Sequence, residues 1–237
     1  MKPGKQQWKH SMEQTKKIAN MKDIAIFGAG GFGREVACMI NRINLHAENE
    51  EKWNLVGFFD DAPKLKGTRN EYGEVLGGID ILNSWSTPLS VALAIGTPEI
   101  LKLLVSKITN PLVEFPNIIA PDVTYWDKDN VRIGRGNIIC SQCILSTNVT
   151  IGDFNILNCC TVIAHDASLG NYNAIMPSVN ISGGVQIGNE NYFGVSSVVL
   201  QYLKIGNCTK IGANSTIFQK TKDGQTYIGN PAYILDY

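Results

Sequence analysis

Histidine is scarce in this chain, with only three among 237 residues. Zinc hydratases and hydrolases gather several imidazoles around each metal, so this shortage speaks against that chemistry. Excess charge is missing too: 21 Lys and Arg balance 21 Asp and Glu. No overall field therefore favours nucleic acid, an anionic membrane or a strongly acidic partner, and any recognition must be local. No apolar run reaches the ~18 residues of a membrane span. The basic opening MKPGKQQWKHSMEQTKKIAN lacks the apolar centre of a secretory signal. Residues 1–20 read as a leader or remnant ahead of the fold, with a short amphipathic helix on a partner as the alternative, and the protein is expected to be cytoplasmic.

Cysteine is present but poorly placed for a metal. Cys140 and Cys143 form a C-x-x-C, yet no second such pair and no histidine at ligand spacing accompany it. A small buried thiol at Cys143 is the better expectation, and no metal is expected. The N-x-Ser/Thr triplets at Asn148, Asn180, Asn207 and Asn214 follow from a composition rich in those residues and carry no meaning without secretion.

Two halves with different grammars make up the rest. KDIAIFGAGGFGREVACMINRI reads as a strand from Asp23 to Phe27, a glycine turn and a helix from about Gly33. WNLVGFFDD is a second strand ending in Asp60 and Asp61, and SVALAIGTPEILKLLVSKI repeats strand, tip and helix with Pro98 in the first helical turn. Three such units predict a small parallel α/β, Rossmann-like domain over residues 21–116. Gly28, Gly30 and Gly33 spell G-x-G-x-x-G between strand and helix, the context in which a helix N-terminus receives a pyrophosphate. Asp60 stands 27 residues beyond Gly33, against ~20 from the motif to the ribose carboxylate of a dinucleotide enzyme. Three strands are also few for a complete nicotinamide fold. Gly28, Gly30, Gly31, Asp60 and Asp61 therefore become candidate contacts to a nucleotide-sugar, with plain turn and cap roles as the alternative.

From Val131 a six-residue period takes over. Stepping by six from Ile133 to Ile217 meets an apolar residue at all fifteen positions. With 44% of the chain hydrophobic, such a run in any phase would arise by chance about 3 times in 10⁵. Gly134, Gly152, Gly170, Gly188 and Gly206 follow at eighteen-residue spacing, where the backbone needs positive φ or close approach. A second column, two residues before each apolar position, is mostly small or β-branched, as at Cys143, Val149, Thr161, Val179 and Val185. A period of six fits no α-helix, and a super-period of eighteen means three short strands per coil of a parallel β-helix. Fifteen hexads make five coils, a body ~24 Å long at the usual strand spacing.

Columns of IG and LG at this spacing, with YIGNPAYIL at the end, resemble the left-handed β-helix (hexapeptide-repeat) acyltransferases. IAIFGAGGFGREVA, GFFDD and VLGGIDIL ahead of the repeats narrow the resemblance to sugar acetyltransferases of the bacillosamine and sialic acid type. The resemblance implies a nucleotide-sugar-binding domain over 21–116 and a left-handed β-helix over 117–237. It also implies a homotrimer, with acetyl-coenzyme A in the groove between adjacent β-helices.

His165 is the only histidine of the repeats, and lies two positions beyond inward-facing Ile163, so it should project outside the coil. Acyl transfer from a thioester needs a group to accept the proton of the attacking amine or hydroxyl, and an imidazole titrating near ~6.5 suits that task. His165 is accordingly the candidate general base. By resemblance, Asp166 sets the imidazole's tautomer and Asn158 is a polar active-site residue; a corner residue tolerating left-handed backbone is the alternative for Asn158. By the same resemblance, the Gly183 N–H receives the oxyanion, and the backbone at Val195 and Ala213 meets the pantetheine arm. Some relatives carry a second histidine where this chain has Ala174, which leaves N- and O-acetylation both open. The rival classes are a metal hydratase on the same solenoid, a nicotinamide-dependent enzyme and a non-catalytic sugar-binding scaffold.

Overall fold

The computed structural model describes residues 21–48 and 52–235, so the opening segment read above as a leader lies outside the described residues. The N-terminal part is a six-stranded sheet: β1 Lys22–Phe27, β2 Trp53–Phe59, β3 Arg69–Asn70, β4 Gly73–Gly77, β5 Leu89–Leu93 and β6 Val113–Glu114. Its order is β3-β4-β2-β1-β5-β6, parallel except for the β3–β4 pair. Three helices accompany it: α1 Gly31–His46, α2 Ile79–Asn83 and α3 Pro98–Lys107, the last with its proline at the first helical position. Ile24, Ala25, Ile26 and the β5 residues are buried, as expected of strands covered on both faces.

Three strands were expected here and six are present among the described residues. β3 and β6 are two residues long, and β4, GEVLG, is bounded by glycines, so none carries an apolar run long enough to read as a strand. α1 begins at Gly31 rather than near Gly33.

The remainder is a parallel β-helix of two-residue strands with three faces. The first face contains Ile118–Ile119, Ile138–Ile139, Ile156–Leu157, Ala174–Ile175, Tyr192–Phe193 and Lys210–Ile211, and a closing hairpin Thr226–Gly229/Ala232–Ile234. The second runs from Thr124–Tyr125 through Ile144–Leu145, Val162–Ile163, Asn180–Ile181 and Val198–Val199 to Thr216–Ile217. The third runs from Arg132–Ile133 through Ser168–Leu169 to Lys204–Ile205. Each strand from Arg132–Ile133 to Thr216–Ile217 ends on a residue of the six-step column, and from Ile139 to Ile217 every one of these is buried. Coiling starts earlier than the period at Ile133. Ile144 pairs with Thr124, twenty residues back, whereas pairs from Arg132 through Thr216 are eighteen apart, because the turn Lys128–Asn130 adds two residues and breaks the phase.

Two features of the coil depart from the sequence reading. The corners do adopt positive φ every six residues, but at Gln142, Asn148, Phe154, Cys160, Asp166, Tyr172 and onward, not at the recurrent glycines. Gly170 instead lies flat against the next coil: a Cβ there would stand 2.7 Å from the Gly188 carbonyl oxygen and 2.5 Å from Asn189 Oδ1. Close approach is therefore the requirement. The interior second column also contains a run of asparagines, Asn137, Asn155, Asn173 and Asn191, all essentially inaccessible. Each side-chain oxygen accepts the backbone N–H of the next, as in Asn173 N–H to Asn155 Oδ1 at 2.9 Å, and Thr209 N–H closes the ladder on Asn191 at 2.7 Å. A buried amide is tolerated here because donor and acceptor are both used at every level.

The three faces differ outside. On the first, Ile118, Ile138 and Ile156 are buried in the core cluster that includes Val36, Met39 and Ile40 of α1. Lys102 of α3 reaches Glu190 at 2.7 Å, and Arg42 of α1 reaches Asp122 at 3.2 Å. The third face presents Arg132, Thr150, Ser168, Gln186 and Lys204 to solvent. The second presents Ile144, Val162 and Val198, half-covered, flanked by exposed Thr124 and Asn180.

Candidate active site

The edge between the second and third faces carries the lone repeat histidine. Ile163 ends its strand in the core, and the chain then turns through Ala164, His165 and Asp166, the last at φ 60°. His165 projects outside the coil, its side chain about half exposed. Its Nδ1 lies 2.8 Å from Asp166 Oδ2. With the Nδ1 proton donated to that carboxylate, Nε2 is left as the proton acceptor. The His165 contact, followed by an Asn148 hydrogen bond at 3.0 Å, holds the Asp166 carboxyl below its ordinary range.

Gly183 lies one coil above His165, and the imidazole packs flat on it: a Cβ at Gly183 would come 2.5 Å from both Cε1 and Nε2. The Gly184 N–H donates to the His165 carbonyl at 2.8 Å, fixing the two levels in register. The Gly183 N–H donates to no group among the described residues. The next coil places Tyr202, exposed, across Gly184.

Asn158, Val195 and Ala213 occupy a different edge. They follow Ile156–Leu157, Tyr192–Phe193 and Lys210–Ile211, all strands of the first face, and so line the corner between first and second faces. Val195 and Ala213 are exposed there. Asn158 Oδ1 accepts the Cys159 N–H at 2.7 Å, and the left-handed residue of its corner is Cys160, so backbone tolerance does not explain the asparagine. Within one chain the six candidates thus form two groups separated by the width of the second face. Arithmetic could have found this, since residues eighteen apart stack and residues six apart lie on neighbouring edges. Ala174 is buried at 2% exposure on the first face, away from the His165 corner.

In the N-terminal part, the glycine turn sits where β1, β2 and β5 end. Gly28 has φ 108°, donates to Phe59 O at 2.7 Å, and has no room for a side chain against Ala94 O. Gly30 and Gly31, at the start of α1, face open space. Asp60 is otherwise engaged: its two oxygens accept the Ala29 and Ala62 N–H groups, each at 2.9 Å, so it braces the turn. Asp61 Oδ1 accepts the Ile79 N–H at 2.8 Å at the start of α2. Both carboxylates still border a cleft of ≈ 180 Å³ with Phe27, Ile95, Ile100 and Lys107. That is the crevice at the carboxyl ends of a parallel sheet where ligands of such folds sit. A second cleft of ≈ 220 Å³, lined by Phe32, Glu35, Met39, Cys140 and Cys159 among others, separates α1 from the coil.

Among the described residues no three of His, Cys, Asp and Glu converge as metal ligands, and burial pushes the Cys143 thiol up to about 12. No helix among the described residues is long and apolar enough to cross a membrane.

An α/β domain leading into stacked short parallel strands is the architecture of the left-handed β-helix acetyltransferases. Residues 23–108 match the PglD N-terminal domain family. The acetyltransferase domain of PglB from Neisseria gonorrhoeae, solved with acetyl coenzyme A, is 28% identical with a TM-score of 0.79, over 91% of this chain and 100% of that one. WeeI from Acinetobacter baumannii is 28% identical with a TM-score of 0.80, over 91% and 100%. PerB from Caulobacter crescentus, solved with CoA and GDP-perosamine, is 24% identical with a TM-score of 0.76, over 90% and 97%. No protein of curated function matches. The resemblance read from the sequence is met in both parts of the chain: residues 23–108 match the PglD N-terminal domain family, and the chain as a whole is similar to solved acetyltransferases of this fold.

Proposed function

We propose that the protein transfers an acetyl group from acetyl-coenzyme A to an amine or hydroxyl of a sugar, most simply a nucleotide-activated amino sugar. The observation that carries this reading is the His165–Asp166 pair, exposed at a coil edge and stacked on Gly183, in a fold that aligns with an acetyl-coenzyme A-bound acetyltransferase domain over that domain's entire length.

His165 Nε2 takes the proton from the acceptor nitrogen or oxygen as that atom bonds to the thioester carbon. Asp166 holds the opposite ring nitrogen and stabilises the imidazolium. The free Gly183 N–H offers a donor to the tetrahedral oxyanion. Collapse of that intermediate breaks the carbon–sulfur bond, and the imidazolium returns its proton to the departing thiolate. Asn158, Val195 and Ala213 enter from a second copy. The second face is flanked by both groups of candidate residues and carries the half-covered Ile144, Val162 and Val198. Packing it against copies of itself about a threefold axis brings one chain's His165 edge to its neighbour's Ala213 edge, forming a groove for the pantetheine arm. Residues 21–116 hold the nucleotide, with its pyrophosphate at Gly30 and Gly31 and the braced Asp60 and Asp61 at the rim.

A thioester-release assay with acetyl-coenzyme A against a panel of nucleotide-linked amino and hydroxy sugars, GDP-perosamine included, tests the reading. Release that depends on one class of acceptor is expected. Absence of release with every member, by a folded protein that binds acetyl-coenzyme A, would leave only a scaffold.

A further inference from the structure

Resting on the acyl-transfer reading above, we infer that Asn148 is a positioning residue: its amide clamps Asp166 so that the His165 proton stays on Nδ1 and Nε2 stays free to act. Asn148, Asp166 and Gly184 occupy the same corner position on successive coils, each at positive φ. The Asp166 N–H donates to Thr147 O at 3.0 Å, which sets the vertical register of the first two. Asn148 Nδ2 then donates to Asp166 Oδ1 at 3.0 Å, while the other oxygen faces His165 Nδ1 at 2.8 Å.

An exposed carboxylate with a single partner rotates freely, and its hold on an imidazole is intermittent. Fixing one oxygen from the coil below leaves the other aimed at the ring. Among the positive-φ corner residues, an amide stacked directly beneath a carboxylate occurs only at this pair. The level below extends the support, since Thr147 Oγ1 donates to Asp127 Oδ2 at 3.0 Å. Asparagine also tolerates left-handed backbone, so a purely conformational role is the competing explanation. Two substitutions separate the roles. Asn148→Gly keeps the backbone and removes the amide; Asn148→Asp keeps size and backbone tolerance but replaces the donor with a second carboxylate.

The test uses the full chain and reads the ¹⁵N shifts of the neutral His165 ring, identified by the signal lost in His165→Asn, together with turnover on the acceptor found by the panel. In the wild type the Nδ1–H tautomer is expected to dominate. Both variants move the ring toward Nε2–H, the form free imidazole side chains favour in water. Their kcat falls about 10-fold or more while KM for acetyl-coenzyme A stays within about twofold, as for loss of an orienting partner behind a reacting group. Wild-type tautomer ratio and kcat in both variants, with His165→Asn inactive, would overturn the role of Asn148 alone. Full turnover by His165→Asn would instead remove the acyl-transfer base, and this inference with it.

Discussion

Replacing His165 with Ala is expected to lower kcat/KM for acetyl transfer by about 10²–10⁴-fold, the usual worth of a general base, without loss of fold. The side chain is about half exposed and its hydrogen bond with Asp166 is at the surface, so truncation removes little packing and no buried partner. Thermal unfolding should stay within a degree or two of wild type. Gly183→Ala supplies the complementary result. The new methyl would meet the imidazole at 2.5 Å, and the ring, being the free end of a side chain, can swing away. Stability should change little, whereas turnover should fall by about 10²-fold because the base is displaced by an ångström or more. Near-wild-type turnover in His165→Ala would exclude the imidazole as base.

The largest stability effect is expected inside the coil, at Asn173. Its Oδ1 accepts the Asn191 N–H at 3.0 Å and the Asn191 amide at 2.9 Å. Its Nδ2 donates to Asn155 Oδ1 at 2.9 Å and Gly188 O at 3.0 Å. Valine at 173 fills similar volume but takes the partner from the Asn191 N–H, the Asn191 side-chain amide and the Gly188 carbonyl, each at a cost of about 1–3 kcal/mol, while Asn155 Oδ1 keeps the backbone N–H of residue 173. Losing several together removes about 3–6 kcal/mol, and a Tm about 10 °C lower is the expected reading for a chain of this size. Asn189→Ala provides the contrast. That residue is a middle rung of a second, outer ladder, accepting the Asn171 N–H at 2.8 Å and donating its own to Asn207 Oδ1 at 2.9 Å, but it is partly exposed and water can replace it. Its Tm should fall by only a few degrees. Equal, small effects at both positions would mean that the interior amides are not what holds successive coils in register.

The six-step column was legible because burial at strand ends leaves no alternative to an apolar residue: Ile163, Ile181 and Val199 stack one per coil within a single buried cluster. The asparagine ladder was hidden because asparagine in a Gly- and Asn-rich repeat reads as a corner residue. Its signal was present, however, as Asn137, Asn155, Asn173 and Asn191 recur at eighteen. The glycine column was read as needing positive φ or close approach; close approach is what it meets, and the left-handed positions lie two residues further on, at Phe154 and Tyr172. β3, β4 and β6 escaped because short, glycine-bounded strands are stabilised by their neighbours in the sheet and not by their own composition. At the candidate site, the exposure of His165 followed from its offset beyond Ile163. The bracing role of Asp60 did not follow, because a carboxylate after a strand looks the same whether it waits for a ribose or ties down a neighbouring turn.

Because His165 and Ala213 lie on different edges of the β-helix, mixed assemblies test the proposed site most directly. His165→Ala lacks the base, and Ala213→Trp would block the groove contributed by the neighbouring chain, so each should be inactive alone. Unfolding and refolding the two together, with exchange verified by mass, should restore activity to about a quarter of wild type, the statistical share of interfaces that join two intact edges. Fully exchanged assemblies that remain inactive would contradict a site shared between copies and place the chemistry within single chains.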